Sequence, residues 1–402
     1  MPTIITQGAL SAEGFGFSAP SGAVTTPVYI EDVFNTYLYT GDSGTQTITT
    51  GLDLSTKGGL VWIKNRTNGQ PGHAWTDTAR GPGTGTSTAA TNILASNSTN
   101  GTGGGVPNSS DYLSAFTTTG FTVVSGGGAN AATRITNRAS DNYVAWTFEE
   151  QAKFFDIVTY TGNGTARSIS HNLGSVPGCI IVKRTDTISE WSVYHRSLAN
   201  TEYLVLNTSA IKVTGSARWN SQTATSTVFY LGTDTAVNAS GGTYVAYIFA
   251  HDAGGFGAAG TDNVISCGSY TGTGVAGNAV TLGYEPQFVM FKTADTSTGN
   301  WFVIDTIRQF GVLQNNYVYA NTTAADVTAA PGGISPTATG FNLTTTTAAY
   351  NQSGVTYVYV AIRRGPMKRP TSGTSVFSPI TANAVAGTAQ TTNFVIDSQW
   401  KA

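Results

Sequence analysis

Two cysteines in 402 residues exclude a disulfide framework, which needs more cysteine in a smaller chain. Cys179 and Cys267 each stand in a strand-like apolar run, Cys179-Ile180-Ile181-Val182 and Val264-Ile265-Ser266-Cys267. Both read as buried free thiols in unrelated surroundings. Charge is scarce too. Asp, Glu, Lys and Arg make up 10% of the chain and sum to −2, which leaves no basic footprint for nucleic acid. No apolar run approaches the roughly 18 residues of a membrane-spanning helix, and Met1-Pro2-Thr3-Ile4-Ile5 lacks the basic start and long apolar core of a signal peptide. Amphipathic helical stretches are missing as well.

What the chain has instead is 65 threonines and 48 glycines, together more than a quarter of its length, with 40% hydrophobic and 11% aromatic residues. That apolar content separates it from disordered chains. Thr, Val, Tyr and Phe favour pleated strands and Gly the turns between them, so the expected class is all-β.

A long internal repeat organises the sequence. Tyr39-Thr40-Gly41 returns as Tyr160-Thr161-Gly162 and Tyr270-Thr271-Gly272. Each is followed by an apolar run closed by lysine: Leu60-Val61-Trp62-Ile63-Lys64, Cys179-Ile180-Ile181-Val182-Lys183 and Phe288-Val289-Met290-Phe291-Lys292. These read as core strands emerging at a charged edge. Trp75, Trp191 and Trp301 come next as apparent equivalents, with Asp77-Thr78-Ala79-Arg80 matched by Asp305-Thr306-Ile307-Arg308. Asn97-Ser98-Thr99, Asn207-Thr208-Ser209 and Asn321-Thr322-Thr323 follow. Each copy closes on an aromatic strand: Tyr143-Val144-Ala145-Trp146, Tyr244-Val245-Ala246-Tyr247 and Tyr357-Val358-Tyr359-Val360.

The repeat predicts three tandem homologous antiparallel β-sandwich modules of jelly-roll type, at 31–155, 156–255 and 256–370. Residues 1–30 are read as a docking segment, aromatic and nearly uncharged but too short for a core, and 371–402 as a C-terminal extended segment. Several strands are apolar on both faces, so each module is expected to pack on a neighbouring module or subunit.

Chemistry-bearing constellations are few. Asn163-Gly164 has no helix after it to hold a phosphate and reads as a hairpin turn. His73, His171, His195 and His251 show no metal-ligand spacing. Asp42, Asp53, Asp234 and Asp295 lie in loops where a sandwich could hold calcium, yet their spacing does not repeat. Glu149-Glu150 is the one adjacent acidic pair, at a module boundary, so the paired carboxylates of a glycosidase are not indicated. The Asp-Thr-x-Arg motifs read as ion pairs inside their modules. No catalytic, cofactor or metal residue is assigned, and the expectation is a non-enzymatic protein without cofactors. Trp219, in the polar stretch Ser216-Ala217-Arg218-Trp219-Asn220-Ser221, is the candidate exposed aromatic for stacking on a neutral glycan, with Asn220 and Arg218 as hydrogen-bond partners, while a core-filling or interface role is the leading reading of the ring.

Taken together, Tyr-Thr-Gly, Leu60 to Arg66, Asp77-Thr78-Ala79-Arg80-Gly81, Ser96 to Thr99, Thr119 to Val123 and Tyr143 to Trp146 resemble a repeat domain of bacteriophage virion proteins. Tail fibre and tail-associated proteins of marine and cyanobacterial phages are its best-known carriers. The segment Met1 to Phe17, with Gly14-Phe15-Gly16-Phe17, is similar to their short leader. The resemblance, over roughly 36–370, implies a virion structural protein with laminin-G or lectin-like sandwiches, assembled in the host cytoplasm and without catalytic residues. A homo-oligomer, first of all a trimer, is the expected assembly. Other virion proteins are expected to bind residues 1–30, and a host surface glycan is the candidate ligand. A capsid decoration or head-fibre protein is the alternative, and a polysaccharide depolymerase the second.

Overall fold

The computed structural model describes residues 26–69, 72–86, 89–102, 111–125, 134–296, 299–311, 316–328 and 333–368. The expectations for 371–402 and for most of 1–30 fall outside them. The protein is all-β: its sheets are antiparallel, and no described helix exceeds four residues.

One strand order appears three times. The first large sheet runs Phe34–Thr40, Asn142–Glu149, Gly59–Asn65, His73–Asp77. The second begins Phe155–Thr161, Thr243–Phe249, Cys179–Arg184, Trp191–His195, and the third Ile265–Thr271, Thr356–Arg363, Pro286–Thr293, Phe302–Asp305. A smaller sheet accompanies each: Thr45–Thr49 with Gly120–Ser125 and Asp111–Thr117, Arg167–Ser170 with Val228–Leu231, and Asn278–Thr281 with Gly340–Leu343 and Ile334–Thr337. The three units span 34–149, 155–249 and 265–363.

The Tyr-Thr-Gly landmark has a physical cause in each unit. Tyr39, Tyr160 and Tyr270 stack on Tyr143, Tyr244 and Tyr357 across the first strand pair, at 5.0, 5.0 and 4.8 Å. The first tyrosine of each pair donates to a backbone carbonyl, of Thr136, Val237 or Tyr350. The glycine follows because a Cβ at Gly41, Gly162 or Gly272 would meet the carbonyl oxygen of Arg138, Ala239 or Gln352 at 2.1, 2.2 or 2.1 Å. A fully buried asparagine beside each, Asn137, Asn238 or Asn351, accepts the amide of the next residue, Asp42, Asn163 or Thr273. Asn163-Gly164 is therefore not a hairpin turn. Phe155–Thr161 pairs with Thr243–Phe249 and Arg167–Ser170 with Val228–Leu231, so the turn carries the chain from one sheet to the other.

Strand alternation explains why the central strands are apolar throughout. In the first unit Val61, Ile63 and Ala145 face the small sheet, in a core with Ile48, Phe121 and Val123. Their neighbours Leu60, Trp62, Trp146 and Phe148 point the other way, into a core shared with Ile180, Trp191 and Tyr247 of the second unit and Phe288, Met290 and Val360 of the third. The third unit splits likewise, with Val289 and Phe291 inward and Phe288 and Met290 in the shared core. Successive side chains on a strand point to opposite faces, so one face builds the unit and the other joins the three. Aromatic contacts mark the joins: Trp75 with Trp191 at 5.2 Å and with Tyr247 at 5.0 Å, and Phe34 with Phe288 at 5.7 Å. The second faces are covered within the chain.

Cys179 and Cys267 are buried free thiols. Their surroundings are shared rather than unrelated: a Cβ on Gly178, next to Cys179, would lie 2.8 Å from Cys267 Sγ.

Candidate functional site

The polar groups that the repeat singles out meet at the seams between units. Lys64, Lys183 and Lys292 do not emerge at a charged edge; all three are fully buried. The correction follows from reach, since a lysine stem can cross apolar surface and deliver its head to a polar group beyond. Lys183 Nζ donates to Thr99 O of the first unit at 2.9 Å, Lys292 to Ser209 O of the second at 3.0 Å, and Lys64 to Thr323 O of the third at 3.0 Å. The acceptors are the last residues of the three Asn landmarks, and the contacts run second to first, third to second and first to third. The cycle is closed. Burial pushes the ammonium groups down, Lys64 and Lys183 to about 7 and Lys292 to about 8.

A second cycle runs beside it. Trp191 Nε1 donates to Ala95 O at 3.1 Å and Trp301 Nε1 to Val205 O at 3.0 Å. Each of these carbonyls lies two residues before a landmark asparagine. The third such carbonyl, Tyr319 O, is met at 3.0 Å by His73 Nε2. This corrects the sequence equivalence. Lys64 pairs with His73 as Lys183 pairs with Trp191, so His73, not Trp75, stands where the other units have tryptophan.

The Asp-Thr-x-Arg motifs form a third set. Asp77 Oδ2 accepts Arg80 Nε at 2.7 Å and, from the second unit, Tyr247 OH at 2.7 Å. Asp305 Oδ2 accepts Arg308 Nε at 2.7 Å and, from the first unit, Trp146 Nε1 at 3.0 Å. Where the second unit has His195, its Nε2 lies 3.1 Å from Tyr359 O of the third. The ion pairs thus serve neighbours as well as their own units. Arg80 and Arg308, although buried, are held above the usual guanidinium range chiefly by Asp77 and Asp305 against the cost of burial.

Trp219 takes the core role rather than the glycan-contact one: only 1% of it is exposed and its ring meets Tyr194 edge-on at 5.9 Å. The short helix Ser216–Trp219 ends on Asn220 in the left-handed conformation, φ 52°, and this turn places the ring inside the second unit. Arg218 is equally committed, with Nε 2.8 Å from Asp234 and its guanidinium 4.3 Å above the Tyr203 ring. Neither offers a face for sugar stacking. Trp219→Ala is expected to cost about 3 kcal/mol in urea denaturation; a change under 0.5 kcal/mol would return the ring to the surface.

The loop aspartates are engaged as well. Asp53 and Asp234 cap short helices, Asp42 accepts Gly44 N, and Asp295 accepts Thr356 N. Among the described residues, no three His, Cys, Asp or Glu side chains gather as metal ligands. Glu149 and Glu150 diverge. Glu149 Oε1 lies 2.7 Å from Lys57 Nζ, whereas burial and then Asp156 push Glu150 up to about 7.

Two open hollows mark the surface. One, of about 590 Å³, is lined by Ser55, Thr56, Lys57, Thr78, Ser114 and Phe116. The other, of about 510 Å³, lies at the seam of the first and second units between Arg80, Tyr160, Thr161, Thr185, Thr243 and Tyr244. Leu54, Pro82 and Ala115 also line the first, and hydroxyl groups dominate the second. No composition or spacing signal pointed to them, because each is assembled from separated segments.

No curated protein and no solved structure matches the chain. One family model spans all three units, from Ile30 at the first short helix to Pro366, three residues past the last strand, and by that match over residues 30–366 the chain belongs to the family described as Domain of unknown function (DUF7483).

Proposed function

We propose that the protein is a non-enzymatic structural component of a bacteriophage particle, of tail-fibre or tail-associated type, attached through its N-terminal segment. The observation that carries the reading is the closed cycle of seam contacts. Its buried lysines, arginines, aspartates and histidines are spent on holding three units together, which suits a load-bearing body. The sequence resemblance supplies the phage context.

The outermost described segments support attachment at one end. Glu31 accepts the amides of Met367, at 2.9 Å, and Lys368, at 2.8 Å, and Lys368 lies over the Tyr29 ring. Residues 26–32 and 364–368 therefore lie side by side. The turns after Thr40, Thr161 and Thr271 lie at the other ends of the same strands, and this far end would face the host. Fibre proteins align side by side, so a homo-oligomer, first of all a trimer, stays part of this reading, although the apolar strand faces are covered within one chain; other virion proteins are the partners of the N-terminal segment. A neutral host glycan would be held in a hydroxyl-lined hollow rather than on Trp219.

The test is to locate the chain in purified particles by mass spectrometry and cryo-electron microscopy. A position on the tail is expected. Many copies over the shell would replace this reading with a capsid decoration or head-fibre protein. Release of reducing ends from host glycans by the purified chain would replace it with a depolymerase.

A further inference from the structure

Two histidines reach from strands of the first and second units to backbone carbonyls of the third. Trp62 Nε1 of the first unit donates to His73 Nδ1 at 2.8 Å, and His73 Nε2 lies 3.0 Å from Tyr319 O. In the second unit Ser197 N donates to His195 Nδ1 at 3.2 Å, and His195 Nε2 lies 3.1 Å from Tyr359 O. An indole or amide N–H can only donate and a carbonyl can only accept. Geometry therefore fixes both rings as the neutral Nε2–H tautomer. A second proton would have to enter at Nδ1, where an N–H already points.

The surroundings offer an imidazolium little help. His73 faces Lys64 on the paired strand and Arg308 of the third unit. His195 faces Arg196 and His251, with Cys179 opposite on the paired strand. The carboxylates beside these groups are engaged, Asp326 by Arg66 and Arg308 and Asp252 by Ser266. Burial first, then these cations, pushes both rings below the ordinary value, His195 to about 4. The seam between the first and second units has no histidine among these contacts: Tyr247 meets Asp77, Lys183 meets Thr99, and Trp191 meets Ala95.

We propose that His73 and His195 form an acid-sensitive latch that frees the third unit while the first and second stay joined. An opened seam takes up protons near pH 6.5, the ordinary histidine value, and the closed one only at lower pH. The latch is therefore complete above about pH 6.5 and weakens as the pH falls from there towards 4. The Asp305–Arg308 pair, 2.7 Å apart and fully buried, lies at the seam of the first and third units, where Asp305 also accepts Trp146 Nε1. His171 bonds to Thr225 O inside the second unit, and His251, in the linker beside Asp252, accepts the amide of Cys267 on the third unit's first strand at 3.2 Å, a contact from the linker rather than from a neighbouring unit.

Hydrogen exchange of the full chain at pH 7.5 and 5.0, corrected for intrinsic rates, tests this. Protection in Pro286–Thr293 and Thr356–Arg363 should fall on the order of tenfold or more at pH 5.0. His73–Asp77 and Thr243–Phe249, at the other seam, should keep theirs. In H73Q/H195Q, which retains a neutral donor at each site, the loss at pH 5.0 should disappear. Should that variant fail to fold, nitrogen-15 spectra of the wild-type histidines decide, with two Nε2–H rings expected to stay neutral until the third unit opens. Uniform loss over three units would overturn the proposal. So would a loss that persists in H73Q/H195Q, or rings that titrate near pH 6.5 while the third unit stays protected.

Discussion

Asp305→Ala is expected to destabilise the full chain by about 4–5 kcal/mol, because it removes one partner of a buried charge pair and leaves the other. Arg308 is 1% exposed and keeps a single carboxylate, Asp326, 2.8 Å from its Nη1. Trp146 Nε1 of the first unit loses its acceptor in the same step, and an unsatisfied buried donor costs about 1–3 kcal/mol. The double variant Asp305→Ala/Arg308→Met should recover part of the loss, since exchanging a buried ion pair for apolar groups is often near neutral. Urea denaturation of the three proteins measures both effects. A single-variant loss below 1 kcal/mol would mean that the pair is not the seam's anchor.

Raising the pH from 7.5 to about 9.5 is expected to stabilise the protein, and raising it beyond about 10.5 to unfold it. Buried Lys64, Lys183 and Lys292 are pushed to about 7, 7 and 8, while lysines of an unfolded chain hold their protons to about 10.4. Folding thus releases protons over this interval, and stability rises with pH. Tyrosine acts in the opposite sense. Burial raises Tyr39, Tyr160, Tyr247, Tyr270 and Tyr284 well above the ordinary value. The folded state keeps phenolic protons that the unfolded chain loses above about pH 10. That stability is complete below pH 10 and lost above it, by up to ~1.4 kcal/mol per tyrosine per pH unit. Urea midpoints should therefore peak near pH 9.5. Phenolate absorbance from these rings should appear together with the loss of circular dichroism, and gradual ionisation near pH 10 in an intact fold would contradict the account.

The all-β class was legible from composition, and the Tyr-Thr-Gly and Tyr-Val landmarks were legible because each is a packed pair with local chemistry. Stacked tyrosines and a glycine against a carbonyl leave their residue types at fixed places in every copy. Two-sided apolar strands also announced a second buried face. The partners on that face were not legible. Lys64 and Thr323 are 259 residues apart, and a lysine at the end of an apolar run reads the same whether its head reaches water or a carbonyl. His73 was missed because Trp75, two residues on, looked like the equivalent of Trp191; register separates them, and only pairing with Lys64 sets register. Asn137, Asn238 and Asn351 went unnoticed because polar loops hide one buried asparagine among many exposed ones. Trp219 was a glycan candidate for the converse reason, since a polar stretch conceals the helical turn that carries its tryptophan into the core.

The central claim is that the seam contacts make one body of three sandwich-like units in a single chain. Differential scanning calorimetry of the full chain at pH 8.0, where the histidines are neutral, tests it most directly. One transition is expected, with calorimetric and van't Hoff enthalpies that agree. Two or three resolved transitions, or a calorimetric enthalpy several times the van't Hoff value, would show that the units unfold independently and would contradict it.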